Sequence, residues 1–227
     1  MGLVAMAKSI SRIARMSFDR LAPYYRTMEF VLAGNKLQRC RTCHLKVISP
    51  PKNALLLGEG NGRFLVECLK RFPTSSFTCL DSSSKMLLLA KRRLEKNNIE
   101  MARVNFVNAD ALKWKSPEAS FDLIATLFFL DCFRKEQLEQ LIANLANTAA
   151  PQSTWLLADF QIPGAGIARI RARIIHQMMY AFFRLATRLP AKSLTPPHEF
   201  LQKNGFILHT RTVSEFGLLN SDWWIRS

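Results

Sequence analysis

Three glycines at alternate positions, Gly58, Gly60 and Gly62, follow the apolar run Asn53–Leu57. A strand that ends in closely spaced glycines can turn tightly into a helix and let its backbone approach a ligand, because no Cβ intervenes. About twenty residues on, the run Ser76–Leu80 ends in Asp81, where a carboxylate can accept from both hydroxyls of a ribose. Asp110 follows a third run, Val104–Val107, and can accept from an adenine amino group while backbone amides read the ring nitrogens. A close strand–helix crossing alone would also explain the glycines. Two acids in step behind the next two apolar runs favour a ligand. The third small residue of a dinucleotide fingerprint falls on Arg63, so the spacing points to an adenosine cofactor without a pyrophosphate.

The elements that must position these residues alternate. Short apolar runs at Asn53–Leu57, Ser76–Leu80, Val104–Val107, Phe121–Leu127 and Thr154–Phe160 read as strands. Segments with helical spacing lie between them, at Gly60–Arg71, Ser83–Lys96 and Lys135–Asn147. Strands alternating with helices predict an α/β fold around a mostly parallel, doubly wound sheet. Residues 1–46 read as helical, broken at Ala22-Pro23. Ser49-Pro50-Pro51 links them to the rest. After Pro163-Gly164-Ala165-Gly166 a long helix runs to about Leu189, then a short one spans His198–Lys203 and stops at Asn204-Gly205. Phe206–Val213 and Gly217–Arg226 read as a closing antiparallel pair.

The stretches ALLLGEGNGRFL, FTCLDSSSKMLLLAKRR, VNFVNADAL, FDLIATLFFLDCF and TWLLADF occur in the order found in class I S-adenosylmethionine-dependent methyltransferases, which the chain resembles over about 54–160. The start Phe18-Asp19-Arg20-Leu21-Ala22-Pro23-Tyr24-Tyr25, with Met28 and Gly34–Arg39, is similar to the opening of the ubiquinone/menaquinone-biosynthesis methyltransferases, although Tyr25-Arg26 departs from that family's tyrosine-aspartate. The resemblance implies a Rossmann-like, seven-stranded, mostly parallel sheet with an antiparallel last strand. It implies N-terminal helices over 1–50 as a substrate cap, a methyltransferase domain over 51–227, and an inserted helical lid at about 164–203. It implies S-adenosyl-L-methionine as cofactor and methyl transfer to a small hydrophobic, aromatic or quinone-like acceptor. Gly58, Gly60 and Gly62 would approach its methionine and ribose, Asp81 would hold the ribose hydroxyls, Ser82 and Met86 would lie near the adenine, and Asp110 and Ala111 would read its edge. The family's acid two residues before the first glycine is here Leu56. Glu59 either replaces it by reaching the cofactor's ammonium or is a solvent-facing turn residue. The missing acid also leaves open a cofactor-binding protein without catalysis.

A carbon or phenol acceptor needs a base. Asp131, Tyr24, Tyr25, His176 and His198 are the candidates. Asp131, after the fourth strand, is either near the transferred methyl or the N-cap of the Lys135 helix. Cys40-Arg41-Thr42-Cys43-His44 matches a haem-attachment pattern, but no export segment is read at the N-terminus and no second ligand pair is evident, so neither haem nor another metal is expected. The expected location is cytoplasmic, with peripheral contact at a membrane.

The 227 residues carry a formal charge of +15. Residues 1–50 hold nine basic and two acidic residues, and residues 163–227 hold nine and three, so the ends contribute +13. Such ends suit an anionic membrane surface and, less well, RNA, so an RNA methyltransferase is the alternative enzyme reading. In the long helix Ile167, Ile170, Ile174, Met178, Phe182, Leu185 and Leu189 recur at three or four residues, beside Arg169, Arg173, Arg184 and Arg188. This fits a helix lying on a membrane surface or an ordinary core-facing helix with a basic outer side. Oligomeric state is not legible.

Overall fold

A short strand surrounded by helices must be apolar on both sides, and Ala54–Leu57 and Leu123–Leu127 are buried throughout. The computed structural model describes residues 35–116, 121–187 and 194–227, with the backbone alone at 168 and 178–187. In chain order the elements are α1 (Lys36–Thr42), β1 (Asn53–Leu57), α2 (Arg63–Arg71), β2 (Ser76–Asp81), α3 (Ser84–Lys96), β3 (Val104–Asn108), β4 (Phe121–Leu127), α4 (Lys135–Ala146), β5 (Ala149–Phe160), α5 (Gly166–Thr187), α6 (His198–Lys203), β6 (Phe206–Ser214) and β7 (Leu219–Arg226). Single 3-10 turns stand at Leu130–Cys132 and Glu215–Gly217.

The seven strands form one sheet in the order β3-β2-β1-β4-β5-β7-β6. Strands β1 to β5 pair in parallel, and β7 runs antiparallel to both β5 and β6. The final strand is therefore slotted between its predecessor and the parallel body, as the antiparallel last strand expected from the resemblance. The chain leaves β1 toward β2 and β3 on one side and places β4 and β5 on the other. This reversal puts a crevice at the carboxyl ends of β1 and β4.

Two cores flank the sheet. On one face Leu56, Phe64, Cys68, Leu69, Phe77 and Leu94 pack beneath α2 and α3, joined by Leu37, Cys40, Leu45 and Ile48. Residues 35–48, part of the expected cap, thus belong to the packed body, and residues 1–34 lie outside the described residues. On the other face Leu55, Ile124, Leu138, Leu141, Trp155 and Trp224 pack beneath α4 and α6. The cysteine–histidine motif serves this packing. Cys40 Sγ donates to the Asn220 carbonyl at 3.4 Å, and His44 Nε2 donates to the Ser221 carbonyl at 3.0 Å. Burial pushes the Cys40 thiol up to about 12, so it stays protonated and inert.

Within residues 51–227 two boundaries differ from the sequence reading by three residues or more. Helix α2 starts at Arg63 rather than Gly60, because Gly58, Gly60 and Gly62 all have positive φ (59°, 69° and 79°), outside the right-handed helical region. Strand β5 starts at Ala149 rather than Thr154. Its register against β4 shifts between Phe121 and Leu123, beside Pro151, which brings no amide to the ladder.

His198 lies away from the crevice. Asp222, fully buried on β7, accepts from Arg211 Nε and Nη2 at 2.7 Å each, and His198 Nε2 stands 3.3 Å from the same carboxylate. The imidazole also stacks on Trp224 at 5.8 Å. Removing Arg211 would strand a buried charge. Arg211→Met should destabilise the chain by about 3 kcal/mol, measured by urea denaturation. A loss below half that would mean His198 alone compensates Asp222.

Candidate cofactor site and active site

The glycine turn is held from three directions. A Cβ on Gly58 would lie 2.2 Å from Phe129 Cδ2, and one on Gly62 would lie 2.9 Å from the Ala90 Cα. These two glycines let the turn after β4 and helix α3 close onto the loop. Gly60 differs, since nothing stands within 4 Å of its missing Cβ. Its open side is where a ligand can meet the backbone.

Glu59 is not the solvent-facing turn residue of one reading. Its carboxylate folds back under the loop, where Oε1 accepts from the amides of Phe64 at 2.5 Å and Leu65 at 3.1 Å. Those are orphan donors of the first turn of α2, and a negative charge suits the positive end of that helix. The other oxygen, Oε2, is buried without a hydrogen-bond partner. Arg41, Leu56, Phe64, Ala125 and Leu127 line a narrow recess with it. Burial raises the Glu59 carboxyl to about 7, against the pull of the helix amides and Arg41.

The acids after β2 and β3 stand beside the loop. Asp81 ends β2, half-buried, and its Oδ1 accepts from Ser83 N at 2.8 Å. Gly58 N donates to the Leu80 carbonyl at 2.9 Å, tying the loop to that strand end. Ser82 is half-buried and Met86 buried, in the turn and first helical turn that Ser83 caps by accepting from Met86 N. Asp110 lies two residues beyond β3 and accepts from Leu112 N at 3.1 Å, with Ala111 buried beside it. Gly58, Asp81 and Asp110 therefore stand at the carboxyl ends of three adjacent strands. The open side of Gly60 and the half-buried Asp81 and Asp110 carboxyls fit an adenosine group laid across that rim.

The crevice continues past β4. Phe128 carries a positive φ of 57° and Asp131 sits in the 3-10 turn. Asp131 is not the cap of α4. Arg134 occupies that position, its amide donating to Gln137 Oε1 at 3.2 Å. Cys132 Sγ donates to Asp131 Oδ1 at 3.6 Å, and burial raises the Asp131 carboxyl to about 6. Asp159, near the end of β5, is buried and accepts from Phe160 N at 2.8 Å. Burial and then the Asp131 charge push its carboxyl well above the usual range. Two like charges in one dry place favour one shared proton. The sequence reading missed Asp159, although an acid closing the apolar run TWLLA was the available signal.

His176 faces the same region from α5. It is buried, and neither ring nitrogen has a hydrogen-bond partner. Its ring meets Phe160 edge-on at 5.8 Å, Phe160 meets Phe128 at 5.0 Å, and the Arg41 guanidinium lies over Phe128. Burial holds the imidazole below its ordinary range, so it is neutral at pH 7. Tyr24 and Tyr25 lie outside the described residues. Among the described residues no group of three or more His, Cys, Asp or Glu side chains could hold a metal.

A family model described as a methyltransferase domain matches residues 54–152. A demethylmenaquinone methyltransferase from Roseiflexus sp. is 33% identical over 210 residues, covering 86% of this chain and 84% of the relative. The chain belongs to this methyltransferase family. A demethylmenaquinone methyltransferase from Thermus thermophilus is 28% identical over 167 residues, 73% of this chain and 74% of the relative. Among solved structures, an O-methyltransferase family 2 protein from Planctomyces limnophilus, in complex with apigenin, superposes with a TM-score of 0.69 at 16% identity. That alignment covers 91% of this chain and 62% of the longer protein, a likeness of fold. As a class I methyltransferase the chain uses S-adenosyl-L-methionine.

Two outcomes test this site. Asp81→Ala should weaken S-adenosylmethionine binding about tenfold or more by calorimetry, the worth of one or two charged hydrogen bonds; an unchanged affinity would remove Asp81 from the site. Between 4.5 and about 7 the folded chain binds more protons at Glu59 than the unfolded chain. Stability from this group is therefore full below 4.5 and falls as pH rises to 7, by up to about 3 kcal/mol. Glu59→Gln keeps an acceptor for Phe64 and Leu65 without the charge. It should melt like the parent near pH 4.5 and above it at pH 8, whereas parallel melting curves would refute a buried charge.

Proposed function

We propose that this methyltransferase alkylates a ring carbon of a lipid-like quinol, and that it meets this acceptor at an anionic membrane surface. The observation that carries the acceptor is the 33% identity, across most of both chains, to a relative named demethylmenaquinone methyltransferase. The aromatic and apolar lining formed by Phe128, Phe160 and His176 at the carboxyl rim supports it. The enzyme is read as cytoplasmic and peripheral, and among the described residues no helix is long and apolar enough to cross a membrane. RNA is the less favoured anionic partner, since phosphate contacts need no exposed isoleucines beside the arginines.

When bound, S-adenosylmethionine supplies a methyl carbon already electrophilic enough for direct transfer. The chain's own task is to align the acceptor, exclude water and take a proton. Forming the new carbon–carbon bond leaves the ring carbon with a hydrogen that must depart as a proton. His176 is the assigned acceptor of that proton, because it is neutral at pH 7 and both its nitrogens are unclaimed. Asp131 and Asp159, sharing one proton, keep one negative charge at the carboxyl rim of the sheet. Phe160 fixes the imidazole ring from its edge.

Purified enzyme, S-adenosylmethionine and a short-chain demethylated quinol should yield S-adenosylhomocysteine and the C-methylated product. His176→Gln should lower kcat at least a hundredfold, the usual worth of a general base, with cofactor affinity unchanged. The parent's kcat should fall on acidification below pH 6.5 as His176 protonates, and the variant should lose that limb. Full activity in His176→Gln would return the role to Asp131, Tyr24 or Tyr25.

A further inference from the structure

Glu215, Phe216 and Gly217 have φ values of 54°, 58° and 84°. Left-handed backbone is ordinary for glycine and uncommon for residues with side chains, so the first two are held there by their surroundings. The Glu215 carboxylate pairs with Lys36, the Arg171 guanidinium lies 5.3 Å from the Phe216 ring centroid, and Gly217 abuts the Pro163 ring so closely that a Cβ would come within 2.8 Å of it. The product of this turn is an aromatic side chain left 78% exposed. It borders α5, where Arg171, Ala172 and Ile175 meet Glu215, Phe216 and Leu218.

Helix α5 carries a matching feature. Ile167 is 85%, Ile170 62% and Ile174 52% exposed, while Ala172 and His176 are buried. At 100° per residue the three isoleucines fall within about 60° of one another, roughly opposite the buried pair, with Arg171 and Arg173 on either flank. The first three residues of the apolar stripe read in the sequence thus face outward, and Phe216 continues them beyond Arg171.

We propose that Phe216 and the Ile167–Ile170–Ile174 side of α5 dock the enzyme onto an anionic lipid bilayer, an inference that rests on the lipid-like acceptor and names the surface by which it is reached. The apolar groups enter the interfacial zone, and Arg171 and Arg173 lie at the level of the lipid phosphates. Charge complementarity selects this occupant. A second copy docked on the same face would bring the flanking arginines of both copies together, and a nucleic acid would leave four large apolar side chains in water. The face adjoins the site, since His176 on the same helix reaches Phe160.

The test is co-sedimentation of the full chain with phosphatidylcholine vesicles, with or without one-third phosphatidylglycerol. The parent should bind the mixed vesicles at least tenfold more tightly than the neutral ones. Ile170→Glu/Ile174→Glu should lose that binding at least tenfold. Phe216→Gly relieves the left-handed backbone, so it should melt at or above the parent temperature yet bind mixed vesicles several-fold less. All variants should keep S-adenosylmethionine affinity and turnover of a short-chain quinol in detergent. The proposal fails if the parent does not bind mixed vesicles, if the variants bind as well as the parent, or if the parent is a dimer that Ile170→Glu/Ile174→Glu converts to monomer. Quinol methylation without vesicle binding overturns only the docking face. Vesicle binding without quinol methylation overturns only the acceptor.

Discussion

The site depends on how tightly the chain can turn between Leu57 and Arg63. Two missing Cβ atoms set that turn, one at Gly58 against Phe129 and one at Gly62 against Ala90. The first fixes the distance from β1 to the segment after β4, and the second fixes the distance from the loop to α3. The Glu59 carboxylate then closes the turn by taking two amides of α2. These contacts tie the loop to the segment after β4, to α2 and to α3, and the Gly58 amide ties it to the end of β2. A cofactor site needs such fixed geometry, because alignment of donor and acceptor supplies much of the rate.

The Glu59 contact is also a compromise. A carboxylate at a helix N-terminus is favourable, but this one has a buried oxygen without a partner. Desolvation outweighs the helix amides, which is why its proton affinity rises rather than falls. The neighbouring recess is lined by Leu56, at the position where the resembled family carries an acid. Three residues after Leu56, the Glu59 carboxylate is held by the Phe64 and Leu65 amides of α2.

Periodicity was enough to read the parallel strands, the helices between them, and the acids in step behind β2 and β3, because those features repeat locally. Contacts between distant segments were not readable in this way. Glu59 could not be placed from its neighbours, since its partners are amides freed only once α2 begins at Arg63. Asp159 closes an apolar run, and its character comes from burial and then from Asp131, which the turn after β4 brings alongside. Cys40 and His44 matched a local pattern, yet their partners are carbonyls of β7, about 180 residues away. The stripe on α5 was visible as a stripe, but the outward facing of Ile167, Ile170 and Ile174 depended on Ala172 and His176 being the residues that pack inward.

The charge distribution follows the same division. A uniform +15 would repel a cationic sulfonium cofactor, yet the carboxyl ends of β2, β3, β4 and β5 are followed or closed by Asp81, Asp110, Asp131 and Asp159. Asp81, Asp110 and the one charge that Asp131 and Asp159 share oppose the bulk sign along that rim. Exposed arginines farther out are screened over about 8 Å at physiological salt, while groups within the rim act through less water. The basic residues of α5 can therefore face a negatively charged surface without spoiling the site beneath them. Moving those arginines inward would cost cofactor binding, and moving the acids outward would weaken the proposed attraction to the surface. The fold keeps them apart by placing one set on strand ends and the other on the outer side of α5.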